Sequence, residues 1–182
     1  ANPRVQFFAA QALGRIKHQP AMQPLLAMLK ANNDADVYLR HAAVLALSRI
    51  GQMEPLVALA GSPDPSLRLA AVLALRQMKN ANVARFLNDP DEYIVTEAAR
   101  AINDDESIPA ALPALAATLH ETRFTGEPLL RRAINAALRV GGAEQLALVL
   151  DFAQRKDVPK PLRTEALATV ATWATPSVLD RV

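Results

Sequence analysis

One amphipathic phrase recurs six times along this chain. Its clearest copies are RHAAVLALSRI, which begins at Arg40, and RLAAVLALRQM, which begins at Arg68. Each copy contains one late apolar residue that serves as an anchor for the alignment. The six anchors are Leu13, Leu47, Leu75, Ile102, Leu138 and Val170. Self-similarity at a period of about 20–50 residues predicts a repeat array, in which each unit buries its apolar face only against its neighbours.

Small and aliphatic residues stand at fixed distances before each anchor. They lie eight, four and one residues before it, and together with the anchor they fall on one stripe of a helix. We expect this stripe to be buried, with its alanines allowing neighbouring helices to approach closely. The stripe runs through Val5, Ala9, Ala12 and Leu13 in the first copy, through Leu39, Ala43, Ala46 and Leu47 in the second, and through Leu162, Ala166, Thr169 and Val170 in the sixth.

Each phrase also carries a helix-start signal ten or eleven residues before its anchor. Asp or Asn can cap the free N–H groups of a first turn, and Pro fits there because its missing donor costs nothing. The signals are Asn2-Pro3, Asp36, Asp64-Pro65, Asp91, Pro128 and Pro159. Shorter apolar segments separate the phrases, namely PAMQPLLAMLKA, MEPLVALAG, NVARFLN, IPAALPALAATLH and EQLALVLDFAQR. The sequence therefore predicts an all-α fold of about six antiparallel helical hairpins.

The pattern D-x-x-[LV]-R-x-x-A-A-x-x-A-L, seen in DVYLRHAAVLAL and DPSLRLAAVLAL, resembles HEAT repeats. Its length is closest to the short HEAT-like repeats of the phycobilin-lyase type. The resemblance covers essentially the whole chain, is strongest over residues 34–80, and weakens over residues 91–105, where Val95 replaces the arginine, and 159–173. It implies a right-handed α-solenoid, a superhelix formed by one array over residues 1–182.

A second, looser resemblance concerns the context of the chain. The segment FLNDPDEYIVTEAARAINDDESIPAALPAL is similar to the HEAT segment of large bacterial multidomain proteins. Those proteins also carry a sugar-dehydrogenase-like propeller and a c-type haem domain. Because the first residue is Ala1 and the repeat is already running at Pro3, we expect the chain to be a fragment of a longer protein.

Composition excludes several kinds of chemistry. The chain has no cysteine, which excludes disulfides, thiol catalysis and cysteine-ligated metals. Its three histidines, His18, His41 and His120, share no metal-ligand spacing, and it contains no H-E-x-x-H, G-x-S-x-G or glycine-rich phosphate loop. We therefore predict no catalytic residue, metal, cofactor or small-molecule substrate. No apolar run is long enough to insert into a membrane. We expect a soluble protein, either cytoplasmic or periplasmic.

Four arginines recur seven residues before their anchors. They are Arg40, Arg68, Arg131 and Arg163. Such a ladder could bind an extended anionic partner. The HEAT resemblance instead implies that each arginine pairs with the helix-start aspartate of a neighbouring repeat, for which Asp36 and Asp64 are candidates. We favour the structural role, because guanidinium–carboxylate forks suit partly buried junctions.

The helix face opposite the buried stripe is the predicted binding surface. No acidic residue falls on this line in any of the six phrases. The HEAT resemblance implies that these helices line a concave groove, apolar at one end and basic at the other, which would suit an amphipathic or acidic peptide or an adjacent domain. The alternative is that Leu45, Leu69 and Leu73 are buried against adjacent repeats. The candidate partner-binding residues are Phe7, Tyr38, His41, Leu45, Leu69, Leu73, Arg76, Arg100, Arg132 and Arg139.

Two further segments invite a functional interpretation. HETRFTGEP, from His120, lies in the longest repeat interval, so that Phe124 is either a recognition element or part of a tolerated insertion. The acidic run Asp104-Asp105-Glu106 could attract a cation, but it lacks the alternating oxygen ligands of a calcium loop. Capping of a helix that begins near Ser107 is the favoured role.

These features favour a non-catalytic protein-interaction scaffold. One alternative is a nucleic-acid-binding module like the HEAT-like DNA glycosylases. The net charge of +2 and an outward line without carboxylate or tryptophan argue against it. Another is an accessory domain of a periplasmic sugar-dehydrogenase or cytochrome-type oxidoreductase. A third is an enzyme of the phycobilin-lyase sort, for which no residue argues.

Overall fold

Helices are the only regular elements in the part of the chain that the computed structural model describes, residues 2–104 and 108–177. The chain divides into two compact units, Ala1–Phe86 and Leu87–Val182. We call them unit 1 and unit 2.

Unit 1 consists of two layers of helices. Helices α1, α3 and α5 form one layer, in which α3 packs against both of the others. Helix α2 packs against α3 and α5, and α4 packs against α5, so that the consecutive pairs α2–α3 and α4–α5 are helical hairpins. The helices are α1 (Pro3–Arg15), α2 (Met22–Asn32), α3 (Val37–Ile50), α4 (Met53–Ala58) and α5 (Pro65–Gln77).

Unit 2 repeats this arrangement. Helix α8 packs against α6 and α10 in one layer, while α7 packs against α8 and α9 packs against α10. The helices are α6 (Glu92–Asn103), α7 (Leu112–Ala117), α8 (Glu127–Val140), α9 (Gly142–Gln154) and α10 (Lys160–Ala171). The predicted all-α solenoid class is confirmed, whereas the single array over residues 1–182 stays a prediction.

The predicted helix starts are confirmed by their caps. The side-chain oxygen of Asp36 accepts hydrogen bonds from Tyr38 N at 2.8 Å and Leu39 N at 3.2 Å. Asn2, Asp64 and Asp91 cap α1, α5 and α6 in the same way. Proline stands in the first turn of α8 and α10 instead. Each cap satisfies N–H groups that have no partner within the helix.

The segments between the phrases are helical, as predicted, but several are partly 3₁₀. The residues from Ala81 to Asn88 form a 3₁₀ helix that buries Val83, Phe86 and Leu87. Shorter 3₁₀ turns flank α2, α4 and α7. Apolar residues three apart eclipse one another in a 3₁₀ turn, so a short segment can bury them without a full α-helix.

The predicted buried stripe is confirmed in α3, α6 and α8, is only partly buried in α5 and α10, and is wrong at α1. Leu39, Ala43, Ala46 and Leu47 are buried in α3, and α6 and α8 bury their counterparts. In α1, however, Val5, Ala9 and Ala12 are exposed and Leu13 is half-buried. Helix α1 turns Ala10 and Gly14 inward, towards α3. The reason is that α1 is at the end of its layer in unit 1, so that α3 covers only one of its sides.

We expect Leu75→Ala, at a fully buried anchor of α5, to lower the free energy of unfolding by about 2–5 kcal/mol. The loss combines apolar transfer with the cavity left between packed helices. Urea unfolding followed by circular dichroism measures it. Leu167→Ala is the control. Because Leu167 is 52% exposed on α10, its truncation should change the free energy of unfolding by no more than about 0.5 kcal/mol. Equal effects of the two substitutions would contradict the assignment of Leu75 to the core.

We expect Gly14→Ala to destabilise unit 1, because a Cβ at Gly14 would lie 2.6 Å from the Cα of Ala46. Relief requires the backbones of α1 and α3 to move apart, at a cost of about 1–3 kcal/mol. This exceeds the gain of about 0.5–1 kcal/mol from replacing a helical glycine. Thermal denaturation tests the sign, with Gly61→Ala as the control because no atom lies within 4 Å of its would-be Cβ. A Tm for Gly14→Ala at or above that of the unsubstituted chain would show that α1 and α3 are packed less tightly than this 2.6 Å approach implies.

Candidate functional site

The predicted line of outward residues begins, in unit 1, at an exposed aromatic cleft. Phe7 and Phe8 meet edge to face, with ring centroids 5.3 Å apart, and Tyr38 at the start of α3 lies beside them. Tyr38 is 73% exposed and Phe8 is 56% exposed. We call this surface the aromatic cleft. It has a volume of about 350 Å³ and is lined by Pro3, Arg4, Phe7, Phe8, Asp36, Tyr38 and Leu39.

The composition of the aromatic cleft suits an apolar side chain with a charged neighbour. Five of its seven lining residues are apolar or aromatic, and Arg4 and Asp36 supply one charge of each sign. Large aromatics offer much contact area for few rotatable bonds. Clustered exposed apolar side chains in a concave site are typical of a binding surface.

The remaining predicted residues of unit 1 are less accessible. His41 is exposed, and Leu45 and Leu73 are half-buried. Leu69 is buried, so its assignment as a partner-binding residue is wrong and the packing alternative holds for it. Arg76 is half-buried and is engaged in an interaction within the structure. The apolar end of the predicted groove is therefore shorter than the sequence suggested.

In unit 2 the predicted basic end is largely neutralised. Arg132 forms a bidentate fork with Asp104, with Nε–Oδ1 2.8 Å and Nη2–Oδ2 2.7 Å. The hydrogen bonds to this carboxylate raise the pKa of the Arg132 guanidinium above its ordinary value. Arg100 also lies 3.7 Å from Asp104, and Arg139 donates to the backbone oxygen of Asn103 at 2.9 Å. Arg132 and Arg139 therefore join α8 to the end of α6, which corrects their assignment as free partner-binding residues.

A cleft of about 570 Å³ lies between α8 and α10. Its charged residues are paired with one another. Arg131 contacts Glu127 at 2.9 Å in its own helix and Glu165 of α10 at 3.1 Å. Arg131 thus links α8 to α10. Its partner is a glutamate in the middle of α10, and not the helix-start aspartate that the HEAT resemblance implied.

The other three members of the arginine ladder have different surroundings. Arg40 forms an ion pair with Asp34 in the turn before α3, and not with Asp36. Arg68 is buried and donates to the backbone oxygen of Ser62 at 3.0 Å. The Nε atom of Arg163 is buried and has no hydrogen-bond partner among the described residues. The pairing proposed for Asp36 is therefore wrong, because the carboxylates of both Asp36 and Asp64 bind the first turn of their own helices.

The HETRFTGEP segment folds back onto the start of α6. Phe124 is buried, and the guanidinium of Arg123 lies 4.2 Å from the centre of its ring. Glu92 accepts hydrogen bonds from the backbone N–H groups of Thr125 at 3.1 Å and Gly126 at 2.6 Å. Phe124 is therefore a packing residue and not an exposed recognition element.

The acidic run has a defined role only in part. Asp104 accepts the guanidinium fork of Arg132. This role differs from both predicted roles, which were cation binding and helix capping. Asp105, Glu106 and Ser107, on which the predicted helix cap depends, lie outside the described residues.

Several exposed apolar residues were not predicted from the sequence, among them Phe8, Val37 and Tyr93. Phe8 lines the aromatic cleft, Val37 precedes Tyr38 on α3, and Tyr93 is 56% exposed at the start of α6. Tyr93 stands two residues after the cap Asp91, as Tyr38 stands two residues after the cap Asp36. This shared position relative to the helix cap is the sequence feature from which the exposure of Tyr93 could have been predicted.

The comparison with protein families agrees with this geometry. A model of HEAT repeats matches residues 1–60 and 30–87. Residues 1–87 are HEAT repeats. HEAT repeats typically mediate protein interactions and are generally non-enzymatic. No curated protein matches the chain.

In residues 2–104 and 108–177, no helix combines the length and apolarity needed to cross a bilayer. Over the same ranges, no three His, Asp or Glu side chains converge to hold a metal ion.

We expect stability to depend on pH through Asp64. Its carboxylate accepts hydrogen bonds from Ser66 Oγ at 2.7 Å and Ser66 N at 2.9 Å, which hold the pKa of Asp64 below its ordinary value. The resulting stabilisation is present above the unfolded-state pKa of about 3.9 and is lost as the pH falls through the lower folded-state pKa.

Asp64→Asn tests this, because asparagine also caps helices but does not titrate. The Tm difference between the unsubstituted chain and Asp64→Asn should shrink between about pH 7 and about pH 2. A difference that stays constant over this range would show that the carboxylate charge is irrelevant to the cap.

Proposed function

We propose that this chain is a non-catalytic protein-interaction module whose aromatic cleft receives an apolar side chain of an amphipathic or acidic peptide, or of a neighbouring domain. The observation that carries the proposal is the exposure of Tyr38 and Phe8 in one concave cleft of unit 1. By contrast, the aromatic side chains of Phe86, Phe124 and Phe152 are buried in the core.

The exposed face of α3 extends the cleft into a binding track. Tyr38, His41 and Leu45 stand at positions i, i+3 and i+7, which lie on one face of a helix. Tyr38 and His41 are exposed and Leu45 is half-buried. A partner segment anchored in the aromatic cleft can therefore continue along α3, with Arg4 beside the anchor for an acidic residue of the partner.

The charges of unit 2 weaken the nucleic-acid alternative. A duplex-binding surface needs several cations free to contact phosphates. Arg132 and Arg139 are instead held by Asp104 and Asn103, and Arg100 lies near both Asp104 and Glu97. The role as an accessory domain of a periplasmic oxidoreductase stays a prediction.

A peptide-binding experiment tests the proposed function. Peptides of about twelve residues are selected from a random displayed library against the full chain, and their affinities are measured by fluorescence anisotropy. We expect the selected peptides to share a large apolar residue. Tyr38→Ala should weaken their binding at least about tenfold, which corresponds to an interface hot spot.

Tyr93→Ala is the matched control. Tyr93 has the same position relative to its cap and a similar exposure, but it lies on α6 of unit 2. Its truncation should leave the affinity for the selected peptides within about twofold of that of the unsubstituted chain. Such a change is well below the roughly tenfold loss that marks a hot spot. Equal losses for the two variants, or selected peptides without a large apolar residue, would count against the aromatic cleft as the binding site. Unchanged circular dichroism spectra confirm that both variants are folded.

A further inference from the structure

A cleft in unit 2 combines an apolar floor with charged and polar walls. It lies between Arg131, Ile134 and Leu138 of α8 and Glu165, Ala168 and Thr169 of α10, and we call it the α8–α10 cleft. Its volume of about 570 Å³ is in the range of cavities that bind small molecules or single side chains. Ile134 is 2% exposed and Leu138 is 9% exposed, so both supply buried apolar surface.

Three side chains of the α8–α10 cleft depart from the repeat pattern. Ile134 stands four residues before its anchor, where α3, α5 and α6 have alanine. Asn135 stands three residues before the same anchor, where those helices have buried valine or alanine. Thr169 stands one residue before its anchor, where the other phrases have alanine. One larger residue and two polar residues thus replace small or apolar ones on the two helices that border the cleft.

These replacements change what the junction between two helices of one layer can do. Small residues let α1 and α3 approach closely at Gly14 and Ala46. The α8–α10 cleft shows that α8 and α10 do not close in this way along their whole length. The amide of Asn135 and the hydroxyl of Thr169 give its walls a hydrogen-bonding capacity that valine and alanine lack. The junction is therefore suited to a ligand with polar and apolar parts.

The guanidinium of Arg132 is already engaged. Its Nε and Nη2 atoms donate to the two carboxylate oxygens of Asp104, and its Nη1 atom donates to the backbone oxygen of Pro128 at 2.8 Å. Bidentate forks of this kind are among the strong hydrogen bonds of proteins. An anionic ligand would have to displace Asp104 to reach Arg132.

Arg131 is shared between two carboxylates. It contacts Glu127 at 2.9 Å and Glu165 at 3.1 Å, so these three groups together carry one negative charge. Glu165 contacts Arg131 through Oε2, and a carboxylate offers about four lone-pair positions. An anionic ligand would compete with both glutamates for Arg131. A ligand that brings a positive charge and N–H donors instead complements Glu165.

The apolar floor suits a methylene chain attached to such a cation. Ile134 and Leu138 offer buried apolar surface from α8, and Ala168 adds a methyl group from α10. Side chains such as lysine lay their methylenes along apolar surface while the charged end stays among polar groups. A primary ammonium has three donors and no acceptor, which matches a carboxylate with neighbouring hydroxyl oxygens.

We propose that the α8–α10 cleft binds a primary ammonium group on an aliphatic stem, with Glu165 as its carboxylate partner and Ile134 and Leu138 along the stem. The ammonium shares Glu165 with Arg131, whose charge remains balanced by Glu127. Such a group occurs on a lysine side chain of a partner protein and on a free polyamine. The site lies in unit 2, so the proposal does not depend on the function proposed for the aromatic cleft.

The probes separate the ammonium from its stem and the peptide from the free amine. The first is a short, acetylated and amidated alanine peptide with one central lysine. Its matched control has norleucine, which keeps the stem and lacks the ammonium, and a third peptide has glutamate. Spermidine is the free polyamine. Binding to the isotope-labelled full chain is followed by the shifts of backbone amide resonances at about 0.05 M salt, where ion pairs are weakly screened.

We expect the lysine peptide to bind at least about tenfold more tightly than the norleucine or glutamate peptide, as one charge-assisted hydrogen bond allows. Glu165→Gln should abolish this preference, because the amide keeps the size of the side chain but not its charge. Glu144→Gln is the matched control, because Glu144 is an exposed carboxylate of α9 outside the cleft. It should leave the affinity for the lysine peptide within about twofold.

Arg131→Gln distinguishes a binding role of Glu165 from a structural one. Removal of the guanidinium frees Glu165 for the ligand, so the lysine peptide should bind at least about threefold more tightly. If the pair of Arg131 and Glu165 served only to hold α8 against α10, both Arg131→Gln and Glu165→Gln would weaken binding. Circular dichroism spectra that match the unsubstituted chain confirm that the variants are folded.

Four results would overturn the proposal. They are equal affinities for the lysine and norleucine peptides, tighter binding of the glutamate peptide, equal effects of Glu165→Gln and Glu144→Gln, and no resonance shift at about 10 mM probe, which corresponds to negligible affinity. Two results would support it and identify the source of the ammonium. Tighter binding of spermidine that Glu165→Gln abolishes would assign the cleft to a free polyamine, and tighter binding of the lysine peptide would assign it to a partner protein.

Discussion

The close approach of neighbouring helices through small residues is the constraint on which both units depend. Gly14 of α1 comes so near Ala46 of α3 that its Cα position has no room for a side chain. Farther along, Ala74 of α5 and Ala101 of α6 stand at the position that matches Ala46, and both are buried. Because each small residue occupies little space, helices of one layer can lie side by side while the longer leucines pack across to the other layer.

Arginine side chains supply the polar connections between successive hairpins of unit 2. Arg132 binds Asp104, Arg139 binds the backbone of Asn103, and Arg155 donates to the backbone oxygen of Leu119 at 2.7 Å. These bonds satisfy carbonyl and carboxylate groups at helix ends that would otherwise lack partners. They also explain why a line of arginines in the sequence does not produce a strongly basic surface in this unit.

Binding capacity arises where this packing stops. In the interior of a layer, a helix is covered on both sides and only its outward residues remain accessible. Helix α1 has α3 on one side only, and there Phe8 and Ile16 are exposed together with Arg4 and Arg15. Exposed apolar area beside charged side chains is a property of unit 1 that follows from its packing, and it is the physical basis of the proposed binding at the aromatic cleft.

The helices, their caps and the interior stripe follow from the local sequence, because these features depend on residues within a few positions of one another. Asp36 caps α3 through N–H groups two and three residues away, and Leu47 and Ala43 share a face because helical geometry requires it. About half of the candidate site followed in the same way, since the register placed Tyr38 and His41 on the outward face.

Which of those residues are free to bind depends on contacts between distant parts of the chain. Arg132 is held by a carboxylate 28 residues earlier in the chain, and Arg139 by a backbone oxygen 36 residues earlier. Helical periodicity does not determine contacts over such separations, since they depend on how the hairpins stack. For the same reason Val5 and Leu39 occupy equivalent positions in the sequence pattern, yet Val5 is exposed and Leu39 is buried, because only α3 has neighbouring helices over that face.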